Sequence, residues 1–364
     1  MRFMLTGGGT AGHAWPIILV AKSLAKNQRA KILYVGSRQG IEKHLVKNTE
    51  IPFKGILVGK RRNYFSLANY WDIIKTFLGI IQTLFIILSF RPDVIFAKGG
   101  YVTVPILFWL VFFKIPLVIH ESDVVIGRAN LWAAKKAAKI CLGFPIEYYS
   151  ATQNDHPDLS LDKLIYTGIP VDPGFLQTPV KMGEKLKLLV TGGSQGSSKI
   201  NHLISEILPE LTKKYEVYHV AGKKDFPELQ KMGYPEDTYH LYEFTAHMPR
   251  LMRDADLVVS RAGANTLAEI AAAGRPSIII PLKIATGEHQ VANAQVLAKK
   301  NAAVVLSEEK LTSSSLLAII DSLMADEKLR GLLGHHAHGF FQAKAAGEIV
   351  DLLFEVANEN FKKT

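Results

Sequence analysis

Residues 2–13 read RFMLTGGGTAGH and residues 186–196 read LKLLVTGGSQG. Each is a short apolar strand, Arg2–Thr6 or Leu186–Thr191, running into glycines and then into a helical pattern. The glycine runs start at Gly7 and Gly192, 185 residues apart (192 − 7). Strand, glycine turn and helix N-terminus form the opening unit of a doubly wound sheet, and here it occurs once per half. The first helix is expected from Pro16 to about Lys26, the second from about Ser198.

Outward from these loops, short apolar runs alternate with helical stretches. In the first half the runs are Ile32–Val35, Val94–Ala97 and Leu117–Ile119; in the second, Glu216–Ala221, Leu257–Ser260, Ser277–Pro281 and Ala303–Leu306. Near-continuous apolar strands in a βαβ rhythm predict parallel sheets covered by helices on both faces. The fold class is therefore α/β, with two Rossmann-like domains. The glycine- and proline-rich stretch 168–174 is the expected linker between residues 1–168 and 174–342.

A chain of 364 residues suits two such cores, and 48% hydrophobic against 21% charged residues argues against global disorder. The lone Cys141 excludes a disulfide framework or a multi-cysteine metal site and suits a reducing compartment. With no apolar leader before the glycines, the protein is expected to stay in the cytoplasm. A net charge of +10 favours anionic partners. The basic residues are dispersed and no recognition motif accompanies them, so nucleic acid is not expected.

Residues 70–90, YWDIIKTFLGIIQTLFIILSF, stand apart. Asp72, Lys75, Thr76, Gly79, Gln82 and Thr83 recur at three- and four-residue steps and draw one narrow polar stripe, so the segment reads as an amphipathic helix with a very wide apolar face. Lys60-Arg61-Arg62-Asn63-Tyr64-Phe65 precedes it, and a second apolar run, Ile106–Phe113, ends at Lys114. Apolar area beside cations and aromatics is the composition of an interfacial membrane site. The inward faces of both runs are also expected to pack in the core of the first domain.

A glycine loop at a helix N-terminus can hold an anion, because unpaired amides and the helix dipole face it. Neither loop is a GxxxxGK[ST] or a clean GxGxxG, and either alone could be a plain strand-to-helix turn. His13 could cap its helix or act as a neutral-pH base beside a phosphate-sized space. In Ser260–Glu269 (SRAGANTLAE) a strand ends, small residues turn the chain and a helix begins. Amides at Ala264, Asn265, Thr266 and Leu267 could receive a diphosphate. Glu269 could accept hydrogen bonds from ribose hydroxyls or simply answer the helix dipole. No Asp-x-Asp pair is placed to carry a metal, and neither a metal nor a cofactor is expected.

The ordered set GGGTAGH, GGYVTVP (Gly99–Pro105), HESD…G…N (His120–Asn130), TGIPV (Thr167–Val171), GGSQGS, SRAGANTLAEIAAAGRP and GEHQVANA (Gly287–Ala294) resembles the MurG family, from the first strand to about residue 306. These are inverting GT-B glycosyltransferases that move N-acetylglucosamine from UDP onto undecaprenyl-diphospho-muramoyl-pentapeptide. The resemblance implies two domains facing a cleft, with a final helix, about 343–364, returning to the first. It places Thr10, Ala11 and Gly12 beside donor and acceptor, with His13 as the base. Ser194 would contact the donor, and the backbone of Thr245 the uracil. Ala264, Asn265, Thr266, Leu267, Ala268 and Glu269 would hold diphosphate and ribose, and Gln290, with His289, the sugar hydroxyls. Its implied partners are UDP-N-acetylglucosamine, a lipid-linked muramoyl-peptide acceptor and the anionic inner leaflet, bound peripherally.

Two positions depart from the family pattern. Ser122-Asp123 stands where Gln-Asn is usual, leaving Asp123 at a substrate-binding position. Asp172 replaces a donor-binding arginine, which would repel a diphosphate unless another cation, Lys199 or Arg261, compensates. Another lipid-acceptor GT-B enzyme, a UDP-sugar epimerase and a degenerate membrane-bound scaffold remain alternatives.

Overall fold

The computed structural model describes residues 1–47, 49–59, 68–149, 160–179, 184–283 and 288–363. The cationic stretch Lys60–Phe65 lies outside them. The chain divides into two compact units, Met1–Pro170 with Lys344–Thr364, and Val171–Ala343.

The first unit is built on a seven-stranded sheet in the order β3-β2-β1-β4-β5-β6-β7. Its strands are β1 (Arg2–Thr6), β2 (Lys31–Ser37), β3 (Phe53–Ile56), β4 (Val94–Ala97), β5 (Leu117–Glu121), β6 (Lys139–Leu142) and β7 (Leu164–Tyr166). All of its pairings are parallel, for example Phe3 with Ile32 on one side and with Val94 on the other. Strand order reverses between β1 and β4, which opens a crevice at their carboxyl ends. Phe3, Met4 and Leu5 are fully buried, as a strand covered on both faces requires.

The second unit repeats the plan with six strands in the order β10-β9-β8-β11-β12-β13. Here the strands are β8 (Lys187–Thr191), β9 (Glu216–Val220), β10 (Tyr239–Tyr242), β11 (Leu257–Ser260), β12 (Ser277–Ile279) and β13 (Val304–Val305), again all parallel. The equivalent reversal lies between β8 and β11.

Helices α1 (Ala11–Ala25), α2 (Ile41–Lys47), α3 (Ala68–Phe90), α4 (Val104–Trp109) and α5 (Arg128–Ala134) belong to the first unit. The C-terminal helix Ala345–Lys363 joins them, burying Ile349, Leu353, Val356 and Ala357 in the same core. Phe354 meets Phe3 edge-on, with ring centroids 4.8 Å apart.

One expectation needs correction. Helix α1 starts at Ala11, not at Pro16, which lies inside it. Proline is favoured in a first turn, but the extended Thr10 already ends the glycine loop, and the helix starts directly after it.

The polar stripe of α3 meets backbone groups distant in sequence. It faces inward, while the wide apolar face is the exposed one. Gln82 accepts from the amide of Leu57 (2.9 Å), Thr76 from that of Gly59 (3.2 Å), and Thr83 donates to the carbonyl of Pro105 (3.1 Å). Gly79 allows the carbonyl of Leu57 to approach so closely that an added Cβ would lie 2.0 Å from it. Trp71, Ile73, Phe77 and Phe85 point outward, each more than 60% exposed. From α4 and the turn after it, Ile106 and Leu107 are buried, whereas Val111 and Phe112 are exposed. The segment Tyr70–Phe90 is long and apolar enough to cross a bilayer, and few of its residues are buried.

Candidate functional site

In the first unit the loop after β1 is tightly held. Gly7, Gly8 and Gly9 all adopt positive φ (147°, 153° and 89°), which L side chains rarely tolerate. A Cβ at Gly8 would lie 2.5 Å from the carboxyl carbon of Glu42, and one at Gly9 the same distance from the ring of Tyr101. Glu42, buried on α2, accepts from the amides of Gly9 (3.1 Å) and Ser37 (2.8 Å). Gly100 packs on the same loop, where a Cβ would lie 2.7 Å from the carbonyl of Gly8. Ala11 and Gly12 open the helix. Its third residue, His13, is half-buried, with Nδ1 2.8 Å from the hydroxyl of Thr10. Burial first, then the charge of Lys98, holds the imidazole down to about 4, against the opposing pull of Asp123. The ring is therefore unprotonated at neutral pH.

Behind it lies a buried polar cluster at the carboxyl ends of β4 and β5. Lys98 donates to the hydroxyl of Ser122 and lies 3.5 Å from Nδ1 of His120. The other ring nitrogen, Nε2–H, donates to the carbonyl of Gly168 (2.9 Å), which fixes the tautomer. Glu121 accepts from the amides of Asp123 (3.0 Å) and Gly127 (2.9 Å) and from Asn130 Nδ2 (2.9 Å). Burial lowers Lys98 to about 8, with Glu121 and Asp123 pulling the other way.

In the second unit the corresponding loop is more open. Gly192 and Gly196 are packed against backbone, but a Cβ on Gly193 would meet only the hydroxyl of Thr266, at 3.9 Å. Ser194 and Gln195 are exposed. The helix after this loop, Ser198–Lys214, is capped by Ser197, whose hydroxyl accepts from the amide of Ile200 (3.4 Å).

The helix after β11, Ala264–Ala273, starts from Gly263, which supplies no side-chain cap. Its first intrahelical amide bond is Leu267 to Gly263 (3.0 Å), so the amides of Ala264, Asn265 and Thr266 lead the helix as an anion-binding end. Ala268 and Glu269 follow within the helix. Burial, with Asp172 adding to it, pushes the Glu269 carboxyl up to about 8. Without ligand it is mostly protonated at neutral pH and can donate as well as accept. Asp172 also caps a short turn, accepting from the amide of Gly174 (2.8 Å).

Arg261 is not free to compensate Asp172. Its guanidinium donates to Ser197 (2.9 Å), the carbonyl of Ile280 (3.0 Å) and Glu308 (2.7 Å), tying four chain segments together. Lys199 is exposed. Gln290 accepts from the amide of Leu282 (3.0 Å) near the start of its helix, His289–Lys299. Thr245, after β10, is buried and accepts from the amide of His247 (3.0 Å), leaving its neighbour Phe244 75% exposed.

The named residues thus fall into two groups, each at the carboxyl edge of one sheet. Thr10, Ala11, Gly12, His13 and Asp123 belong to the first unit; Ser194, Thr245, Ala264–Glu269 and Gln290 to the second. The sequence alone does not single out Glu42 or Lys98. For Lys98 there was a signal: a lysine directly ends the apolar strand VIFA.

The glycosyltransferase family 28 N-terminal domain matches residues 3–142, and the family's C-terminal domain matches residues 187–346. A UDP-N-acetylglucosamine–N-acetylmuramyl-(pentapeptide) pyrophosphoryl-undecaprenol N-acetylglucosamine transferase of Lachnoclostridium phytofermentans is 36% identical, over 90% of this chain and 92% of its own. The Pediococcus pentosaceus protein of the same description is 32% identical, over 98% of this chain and 100% of its own. Among solved structures, Acinetobacter baumannii MurG aligns with a TM-score of 0.73 at 25% identity, covering 97% of this chain and 99% of that one. The UDP-GlcNAc 2-epimerase of Neisseria meningitidis, solved with UDP-GlcNAc, shares the fold (TM-score 0.67) at 15% identity, over 98% of this chain and 100% of that one. Matched in both halves by family 28 domains, and along nearly its whole length by these relatives, the chain belongs to the MurG family of GT-B glycosyltransferases.

Proposed function

We propose that this protein transfers N-acetylglucosamine from UDP-N-acetylglucosamine to the 4-hydroxyl of a lipid-linked muramoyl-pentapeptide, with inversion at the anomeric carbon. The observation that carries the reading is relatedness of at least 32% over 98% of the chain to a transferase of that description. The unprotonated His13 ring and the uncapped helix end at Ala264 suit the chemistry.

In a single displacement the acceptor oxygen bonds to the anomeric carbon as the bond to the UDP oxygen breaks. The proton of the hydroxyl goes to His13 and the electron pair leaves with the diphosphate. Helix dipole and amides at Ala264–Thr266 would stabilise that leaving group as its charge grows. A ring at about 4 is a weak base in the free enzyme, but an anionic substrate beside it would raise its proton affinity. Glu269 would bind the ribose, Gln290 the sugar, and Ser194 and the Thr245 backbone the rest of the donor. Incubation with UDP-N-acetylglucosamine and a lipid I analogue, followed by mass detection, tests the activity. Absence of product carrying one added N-acetylhexosamine would sink it.

The exposed apolar faces of α3 and α4 support a second element of this reading, peripheral docking on the anionic inner leaflet. Nine large apolar residues from Tyr70 to Leu88 lie exposed on α3, an area well suited to the acyl boundary. Flotation with anionic vesicles should recover the protein, and Phe77→Glu with Phe85→Glu should release it. Equal flotation of both proteins would reject this face as the docking surface.

A further inference from the structure

A series of buried hydrogen bonds crosses the second unit and ends at the glycine loop after β8. Its centre is Asn201, buried in the first turns of the helix Ser198–Lys214. The Asn201 amide nitrogen donates to the carbonyl of Ala221 (2.9 Å) and to a carboxylate oxygen of Asp225 (2.7 Å). Its oxygen accepts from Nε2–H of His219 on β9 (2.9 Å), and the hydroxyl of Tyr239 on β10 donates to Nδ1 of that ring (3.0 Å). The directions are fixed, because a carbonyl only accepts: the Asn201 nitrogen faces Ala221, so its oxygen must take the ring proton at Nε2. The other oxygen of Asp225 accepts from the hydroxyl of Ser198 (3.0 Å). All side-chain polar atoms of Asn201 and His219 are thereby engaged.

Ala221 is where this series meets the loop after β8. The loops after β8 and β9 touch backbone to backbone: a Cβ on Gly196 would clash with the Ala221 carbonyl, and one on Gly222 would lie 2.8 Å from Cα of Gly196 and 3.0 Å from the carbonyl of Gln195. Both glycines hold positive φ (76° and 84°), which leaves the contact free of side chains. A shift of Ala221 is therefore passed to Gly196 and Gln195, and on to Ser194 beside them. A buried polar network with every member satisfied holds one geometry.

We propose that Asn201 and His219 are positioning residues for the UDP-sugar: they fix the loop after β9 against the loop after β8 and so set where Ser194 stands. This rests on the reading of the loop at Gly193 and Ser194 as a contact for UDP. His219 is fully buried with both ring nitrogens bonded, so it acts on a ligand only through its neighbours.

The test is calorimetric titration with UDP, alongside KM for UDP-N-acetylglucosamine and kcat. His219→Leu leaves the Asn201 oxygen without its partner and should weaken UDP about tenfold. Stoichiometry should stay, KM should rise and kcat at saturating UDP-sugar should be kept. His219→Gln, whose amide can stand in for Nε2–H, should restore most of the affinity. Asp225→Ala removes an acceptor of Asn201 at a partly exposed position and should weaken UDP several-fold; it carries the test should His219→Leu not fold. A unit that was only destabilised would lose stoichiometry and kcat together, with the affinity of the folded fraction intact. Parent affinity in His219→Leu and Asp225→Ala, while Gly193→Ala weakens UDP, overturns the proposal, and so does an equal loss in the leucine and glutamine variants. If Gly193→Ala is also without effect, the reading of the loop as a UDP contact falls, and the proposal with it.

Discussion

The loop after β1 and the loop after β8 begin with the same pattern and end as different devices. In the first, the glycines are consumed by packing: Ile17, Glu42 and Tyr101 occupy the space their side chains would need. What remains accessible is Thr10 and His13, poised over a charged interior. In the second, Gly193 faces open space beside Thr266, and the helix end at Gly263 has no side-chain cap. One motif thus serves to aim a side chain in one unit and, in the other, to leave room at Gly193 beside the start of the helix after β11. What surrounds the loop decides between them.

The largest expected effect tests the first half of that contrast. His13→Ala should lower turnover by about 10²- to 10⁴-fold, with UDP affinity nearly intact. A parallel loss of UDP affinity in calorimetry would make His13 a donor-binding or structural residue.

Next come the glycines themselves. Gly8→Ala should cost about 3 kcal/mol of stability in denaturant unfolding, since the new methyl meets a buried carboxylate held by two amides. Gly193→Ala should cost only about 1 kcal/mol of backbone strain, from its φ of 78°, but should weaken UDP binding. Equal stability losses with UDP binding untouched would erase the distinction between the loops.

In the second unit, Glu269→Ala should weaken UDP by roughly 1.5–3 kcal/mol if the carboxyl bonds the ribose. Unchanged affinity in calorimetry would leave Glu269 without that role.

The smallest effect concerns Asp172. With Glu269 raised to about 8 in the free protein, binding of its ionised form releases a proton, so UDP affinity should climb as pH rises from 6 and level off above 8. Asp172→Asn removes a neighbouring negative charge, lowers the Glu269 midpoint and moves that climb to lower pH. A pH-independent affinity in both proteins would show that the ribose is bound by the protonated carboxyl or by another group.

Much of this was legible in the chain. Parallel strands buried on both faces must be apolar throughout, so Val94–Ala97 and Leu257–Ser260 announced themselves, and glycines at strand ends marked both crevices. Mixed or very short strands did not: Phe53–Ile56, Lys139–Leu142 and Tyr239–Tyr242 are interrupted by lysine, glycine or histidine, and Leu164–Tyr166 is only three residues long. Pro16 shows a local rule overruled, since the start of α1 was set by where the glycine loop ends.

The periodicity of residues 70–90 determined that α3 would have two unlike faces, but not which would turn inward. That was decided by backbone groups distant in sequence. The amides of Leu57 and Gly59 and the carbonyl of Pro105 need partners once covered by a helix, and Gln82, Thr76 and Thr83 provide them. A buried amide without an acceptor costs about 1–3 kcal/mol, and the polar stripe, turned inward, removes that cost while the tryptophan and phenylalanines stay out. The same holds for Lys98: its place at the end of an apolar strand is written in the chain. Its neighbours Ser122 and His120 are brought to it only by β4 and β5 lying side by side.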